Sequence, residues 1–246
     1  MVKAVFVSDI HLGIADTVAE KAREAIFEKF LDDIRGDLTH LYIVGDLFDF
    51  WYEYNHVIPK AYFGVLNRLM NLRSDGVEMH YLAGNHDFFL GRFFDEQLGI
   101  TTWPDEYTFE LAGKSFYLFH GDGLAKKDKG YRFLKRILRS KLNQRVFRWL
   151  HPDAGIPFAR KVSGSSREYT DTINEKRDET DYVEFAEACF DKGFDYVMMG
   201  HRHNPLVHER DGCKYINLGD WLTYFSYAVF DGKDLTLKHY KTKKAP

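Results

Sequence analysis

The stretch HYLAGNHDFFLG, residues 80–91, runs from a short apolar segment through Gly84 into an amide, an imidazole and a carboxylate: Asn85, His86 and Asp87. An apolar run of this length, closed by glycine, reads as a strand buried on both faces. The same event occurs four more times. AVFVS (4–8) runs into Asp9-Ile10-His11, and HLYIV (40–44) into GDLFD. SFYLF (115–119) runs into His120-Gly121-Asp122, and DYVMM (195–199) into Gly200-His201-Arg202-His203.

Helical patterns separate these runs. Residues 17–34 carry Val18, Ala22, Ala25, Ile26, Phe30 and Ile34 at helical spacing, Pro59 opens a second helix, and TDYVEFAEACFDKG makes a third that stops at Gly193. Alternation of strand and helix predicts an α/β layering. CKYINLG, YFSYAVFDG and DLTLKHY near the end read as further strands, so the sheets are mixed with helices outside. Residues 125–176 break the rhythm with amphipathic helical faces (Phe133, Leu134, Ile137, Leu138, Leu142, Val146, Phe147, Leu150) interrupted by Pro152 and Pro157. The expectation is one domain over 1–246 with a helical basic cap inserted at 125–176.

Composition narrows the class. With 45% hydrophobic, 29% charged and 16% aromatic residues, the chain is globular rather than disordered. The net charge is -3, yet Lys126–Arg167 holds thirteen Lys and Arg against two acids, a local +11 that leaves -14 elsewhere. Such an island points to an anionic partner: a phosphate ligand, a nucleic acid or a lipid surface. A solvated basic helix face is the plainer alternative. Cys189 and Cys213 lie in no metal-binding spacing and read as two buried reduced thiols. The N-terminal run meets Asp9 too early for a signal peptide, and no stretch reaches the roughly 18–20 apolar residues of a spanning helix. A cytoplasmic protein is expected.

In open α/β sheets functional side chains gather where strands end. The five turns would bring Asp9, His11, Asp46, Asn85, His120, His201 and His203 to one edge. Imidazole and carboxylate oxygen suit Mn, Fe or Zn. In extended chain, residues two apart share a face, so Asp9 pairs with His11 and His201 with His203. Asp46 can offer two oxygens and bridge two ions, and Asn85 adds a neutral oxygen. Two divalent metals roughly 3.5–4 Å apart would activate water and clamp phosphoryl oxygens.

The ordered set DIH, GDLFD, GNHD, HGD and GHRH resembles the calcineurin-like metallophosphoesterase superfamily across nearly the whole chain. The resemblance implies a four-layer αββα sandwich of two mixed sheets. It implies one metal on Asp9, His11, Asp46 and His203 and another on Asp46, Asn85, His120 and His201. Within the superfamily, YIVGDLFDFW, GNHDFFLGRFF, HGDGLAKKDKGY and the basic insertion are similar to the UDP-2,3-diacylglucosamine pyrophosphatases of lipid A biosynthesis. That family implies manganese-dependent attack of water on the α-phosphorus, giving UMP and a diacylated sugar phosphate. It implies substrate contacts at Asn85, His86, Asp128, Arg160, Ser166, Arg167 and His201, with Lys161 nearby. The cap would supply an apolar groove for acyl chains and a basic face for the inner membrane surface, with the protein peripheral on its cytoplasmic side and no specific nucleic acid bound.

One position departs from that family. His86 stands where those enzymes usually carry arginine, whereas the wider superfamily has histidine there, oriented by the adjacent carboxylate, here Asp87. A histidine can give a proton to a leaving oxygen; an arginine stays a fixed cation. His86 and Asp87 are therefore the expected catalytic pair. Two other readings stay open: a metallophosphoesterase with a different substrate, such as a phosphodiesterase or nucleotide pyrophosphatase, and a non-catalytic binding module with an idle metal site.

Overall fold

A computed structural model describes residues 2–15, 17–126, 129–159 and 179–240. Each of the five expected strands is present. β1 (Ala4–Val7), β2 (His40–Val44) and β3 (Glu78–Leu82) lie parallel in one sheet, with Ala4 opposite His40 and Leu41 opposite Met79. β4 (Thr101–Trp103) continues this sheet beyond β3. β10 (Ser226–Phe230) and β11 (Leu235–His239) extend it antiparallel on the other side, giving the order β11-β10-β1-β2-β3-β4. The second sheet has the order β5-β6-β7-β9-β8. Its strands are β5 (Glu106–Leu111), β6 (Lys114–Phe119), β7 (Tyr196–Met199), β8 (Leu206–Arg210) and β9 (Cys213–Asn217). Both sheets mix parallel and antiparallel pairs, as the pattern predicts.

Burial sorts the side chains into three layers of core. Phe6, Tyr42, Val44, Leu82 and Phe230 from the first sheet meet Phe116, Leu118, Met198 and Ile216 from the second. Phe6 stacks on Tyr42 and Phe116, so truncating it to alanine is expected to cost about 3–5 kcal/mol. The outer face of the first sheet is covered by α1 (Val18–Ile34), α2 (Phe63–Ser74) and α3 (Phe93–Leu98) through Phe27, Phe30, Leu69 and Phe94. The outer face of the second is covered by α7 (Thr180–Phe190) through Tyr182, Ala186 and Phe190. The layers therefore run helix, sheet, sheet, helix.

Thr17 caps α1 by accepting from Glu20 N. The buried face of α1 differs from the expected one. Val18, Ala22 and Ala25 face solvent, and Glu20, Arg23, Phe27, Phe30, Leu31 and Ile34 turn inward. The reason is electrostatic: Glu20 and Arg23 pair with each other and satisfy backbone groups below the sheet edge, so two charges replace two alanines inside. Pro59 starts a short 3-10 turn, Lys60–Tyr62, that leads into α2. Cys189 is buried as expected, whereas Cys213, at the start of β9, is only partly covered.

Residues 129–159 form three helices: α4 (Lys129–Leu138), α5 (Lys141–Arg148) and α6 (152–159). Much of their basic charge is spent on docking to the sandwich. Arg132 donates to the carbonyls of Gly123 and Ala125, Lys135 pairs with Asp122 at 2.9 Å, and Arg139 donates to the carbonyls of Pro104 and Gly84. On α5, Phe147 packs against Phe50, Tyr52 and Tyr54. Ile137, Leu142, Val146 and Leu150, expected on apolar faces, are exposed. The side chains of Phe133, Leu134 and Leu138 lie outside what the structure describes.

Candidate metal centre

The parallel register ends β1, β2 and β3 at one level, and β6 and β7 likewise. The five polar turns thus emerge at a common edge. The two sheets are stitched there: Trp221 N donates to Asp9 O, and His201 N to Asp9 Oδ2 at 2.8 Å.

The backbone in these turns is not extended. Asp9, His11, Asp46, His201 and His203 have φ of 55°, 50°, 54°, 66° and 53°, the left-handed region. Asp9 and His11 share a site because the chain coils back at each of them, not because of strand alternation. Such conformations cost about 1–3 kcal/mol each and persist only where surrounding contacts enforce them. Aspartate and histidine tolerate them better than branched residues do. Two glycines explain the tight approach of the turns: a Cβ on Gly84 would lie 2.0 Å from Asp46 Oδ1, and one on Gly200 2.0 Å from Ser8 Oγ. Both positions sit directly before a predicted ligand, Asn85 and His201.

All seven predicted ligands come together, in two groups that share Asp46. In the first, His203 Nε2 lies 3.1 Å from Asp9 Oδ1 and 3.2 Å from His11 Nε2. Asp46 Oδ2 is 3.8 Å from His11 Nε2 and, on its other side, 3.4 Å from His120 Nε2. In the second, Asn85 Oδ1 sits 3.0 Å from His120 Nε2 and 2.8 Å from His201 Nδ1. Asp9, His11, Asp46 and His120 are all essentially inaccessible to solvent.

The electrostatics suit cations. Burial alone would raise the carboxyl groups. For Asp9 the neighbouring His203 and His11 outweigh it, and for Asp46 His120 and His86 do, so both stay well below the usual range. Burial pushes His11 and His201 down to about 4. His120 and His203 go the other way, to about 10, because burial is overcome by Asp46 beside the first and by Asp9 and Asp220 beside the second. His11 and His201 thus keep a free lone pair, and His120 and His203 stand where the neighbouring carboxylates stabilise positive charge. Asp9 Oδ1 is buried and makes no well-angled hydrogen bond, an acceptor left for a cation. The residues fit a pair of divalent ions: two carboxylates, one amide oxygen and four imidazoles, with Asp46 Oδ2 at the junction.

Several supporting residues escaped the sequence reading. Asp49 Oδ1 lies 3.6 Å from His86 Nδ1 and 3.8 Å from His11 Nδ1. Asp220 Oδ2 lies 3.4 Å from His203 Nδ1. Ser8 Oγ donates to Asp9 Oδ2 at 2.6 Å. The Val44 carbonyl takes His120 Nδ1, leaving Nε2 for the centre. A signal existed for two of them: Asp49 closes GDLFD, and Asp220 follows β9 in INLGD, a sixth strand ending in Gly-Asp.

His86 borders the junction. Its ring stands edge-on to His11 at 4.8 Å, and Nε2 is 3.9 Å from Asp46 Oδ2. Asp87 does not orient it, contrary to expectation. The Asp87 carboxylate points inward and accepts from the N–H groups of Gly84, Asp46 and Phe48 and from the Tyr81 hydroxyl. The Asp49 carbonyl, 3.1 Å from His86 Nδ1, takes the orienting role. Buried beside Asp46, the Asp87 carboxyl rises to about 6. Of the other expected substrate contacts, Asn85 and His201 lie in the centre. Asp128, Arg160, Lys161, Ser166 and Arg167 lie outside the described residues.

The chain is similar to several known proteins. A family model described as calcineurin-like phosphoesterase matches residues 2–205. A UDP-2,3-diacylglucosamine hydrolase from Porphyromonas gingivalis is 33% identical, with 96% of this chain and 97% of that protein covered. One from Haemophilus influenzae is 30% identical, covering 88% and 89%. A solved archaeal phosphodiesterase is 15% identical, with a TM-score of 0.47 over 97% of this chain and 99% of that one.

Proposed function

This chain belongs to the calcineurin-like phosphoesterase family, and on that premise we propose that it hydrolyses the pyrophosphate of UDP-2,3-diacylglucosamine to UMP and diacylglucosamine 1-phosphate. The observation that carries this reading is the match, along nearly the full length of both chains, to relatives bearing that substrate in their names. The exposed apolar side chains on α5 and α6 support it, because a diacylated substrate needs such a surface at roughly 0.8 kcal/mol per buried methylene.

Asp9, His11, Asp46 and His203 would hold one divalent ion, and Asp46, Asn85, His120 and His201 the other. When bound, such ions supply charge to the phosphoryl oxygens and lower the pKa of the attacking water. Manganese fits the nitrogen and oxygen donors, as iron or zinc would. His86, held by the Asp49 carbonyl, faces the reacting phosphate and gives charge or a proton to the leaving oxygen. Asp87 acts beneath it by stapling the β2 and β3 turns together. The bond formed joins a water oxygen to the α-phosphorus; the bond broken frees the sugar phosphate. Asp128, Arg160, Ser166 and Arg167 would add substrate contacts from the 125–176 cap.

Arg145, Arg148 and Trp149 are exposed on one stretch of the cap and suit an anionic membrane surface on the cytoplasmic side. Among the described residues no helix is long and apolar enough to cross a membrane. His86 favours one competing reading, a phosphoesterase for an unacylated nucleotide diester. The test is UMP release from UDP-2,3-diacylglucosamine in detergent micelles with manganese added or chelated. Manganese-dependent release is expected. No release, alongside brisk turnover of an unacylated nucleotide diester, would overturn the lipid substrate in favour of the competing reading.

A further inference from the structure

Glu20 and Arg23, in the first turns of α1, are buried charged residues outside the proposed ligand set. Their contacts converge on the centre. Arg23 Nη2 donates to the His11 carbonyl at 2.9 Å, and Nη1 donates to the Ile10 carbonyl at 2.5 Å and reaches the Trp221 carbonyl at 3.4 Å. Nε donates to Glu20 Oε2 at 2.9 Å, and Nη2 also meets Glu20 Oε1. Glu20 Oε1 in turn accepts from Gly13 N.

The left-handed turn explains why a guanidinium is needed. The N–H groups of Ile10 and His11 both donate to the Asp46 carbonyl, at 2.9 and 3.0 Å. Their own carbonyls turn the other way, into a dry region under α1, where an unmet acceptor would cost about 1–3 kcal/mol. A planar fork with five donors satisfies both while staying paired to Glu20; a lysine offers three donors from a single point. The same fork reaches Trp221, next to Asp220, whose carboxylate lies 3.4 Å from His203 Nδ1. One side chain therefore joins the loop that carries His11 to the loop whose Asp220 stands behind His203.

We infer that Arg23, fixed by Glu20, is a positioning residue for the half of the centre formed by Asp9, His11 and His203. It locks the left-handed turn at His11 and ties it to the Asp220 loop. This rests on the proposed two-metal reading, and the test separates the two. Metal-stripped protein is titrated with Mn2+ alone, and free ion is followed by electron paramagnetic resonance. Wild type should take up two equivalents; uptake of none defeats the metal reading itself.

Arg23→Lys should weaken one equivalent by about 10–100-fold and leave the other unchanged. Turnover of the variant should recover toward wild type at saturating Mn2+, with KM unaltered. The neutral pair Glu20→Gln with Arg23→Met, which strands no buried charge, should show the same selective loss. Wild-type binding of both equivalents in Arg23→Lys overturns the inference. So does equal weakening of both in step with a lowered melting temperature, and so does failure of both variants to fold.

Discussion

The strand-end centre and the α4–α6 helices invert the ordinary partition of residues in opposite senses. At the strand ends Asp9, His11, Asp46, Asp87 and His120 are shut away from water. On the cap Trp149 is 91% exposed and Leu142 70%, with Val146 and Phe158 close behind. Buried charge survives because each carboxylate faces an imidazole or a backbone N–H, which offsets desolvation. Exposed apolar surface survives because the helices are held elsewhere, by Arg132, Lys135 and Arg139 on the sandwich and by Phe147 on an aromatic cluster. The difference teaches how the labour divides. The strand ends hold buried charge that their partners offset, and the α4–α6 helices dock through basic side chains and leave apolar ones exposed.

The sharpest way to break this contrast is to neutralise the shared carboxylate. Asp46→Asn should lower UMP release by about three orders of magnitude or more, since several kcal/mol of charge stabilisation disappear with both ions. Plasma spectrometry should find both metal equivalents lost; retention of two would end the bridging role. His86→Ala comes next. Turnover should fall by about a hundredfold or more with metal content unchanged, as for loss of a proton or charge donor. Equal losses of metal and turnover would make His86 structural. Asp220→Asn should cost about 10–100-fold in affinity for a single equivalent, because it orients His203 from behind. Uniform weakening of both sites would contradict that.

The smallest effects belong to the cap. Trp149→Ser or Val146→Ser should raise KM for the diacylated substrate about tenfold each, roughly one to two kcal/mol of apolar contact. Melting temperature and turnover of an unacylated diester should stay at wild-type values, because these side chains are exposed in the free protein. A drop in melting temperature would show that the cap surface is part of the core after all.

Much of this was legible in the sequence because strand and turn chemistry is local. Five apolar runs each ended in Asp, Asn or His, and the residues gathered at the sheet edge are those that the runs pointed to. Other features had local signals that went unread. Asp211-Gly212 and Ala112-Gly113, all at positive φ, make the two-residue turns of hairpins β8–β9 and β5–β6. The inward turn of Glu20 and Arg23 had no such signal. A hydropathy pattern reads charged helix positions as solvent-facing, and only the carbonyls above α1 reverse that. Part of the basic island turns inward for the same reason: Arg132, Lys135 and Arg139 face the sandwich, whereas Arg145 and Arg148 are exposed.

The sequence by itself determined which donor atoms are available and in what order, since each follows its own strand within a few residues. Only the tertiary structure decided that Asp46 Oδ2 lies at the junction, that Asp49 rather than Asp87 steadies His86, and that Arg23 reaches the His11 turn. Those pairings depend on strand register and on how two sheets pack. His11 and His203, 192 residues apart, come within 3.2 Å only when both are fixed.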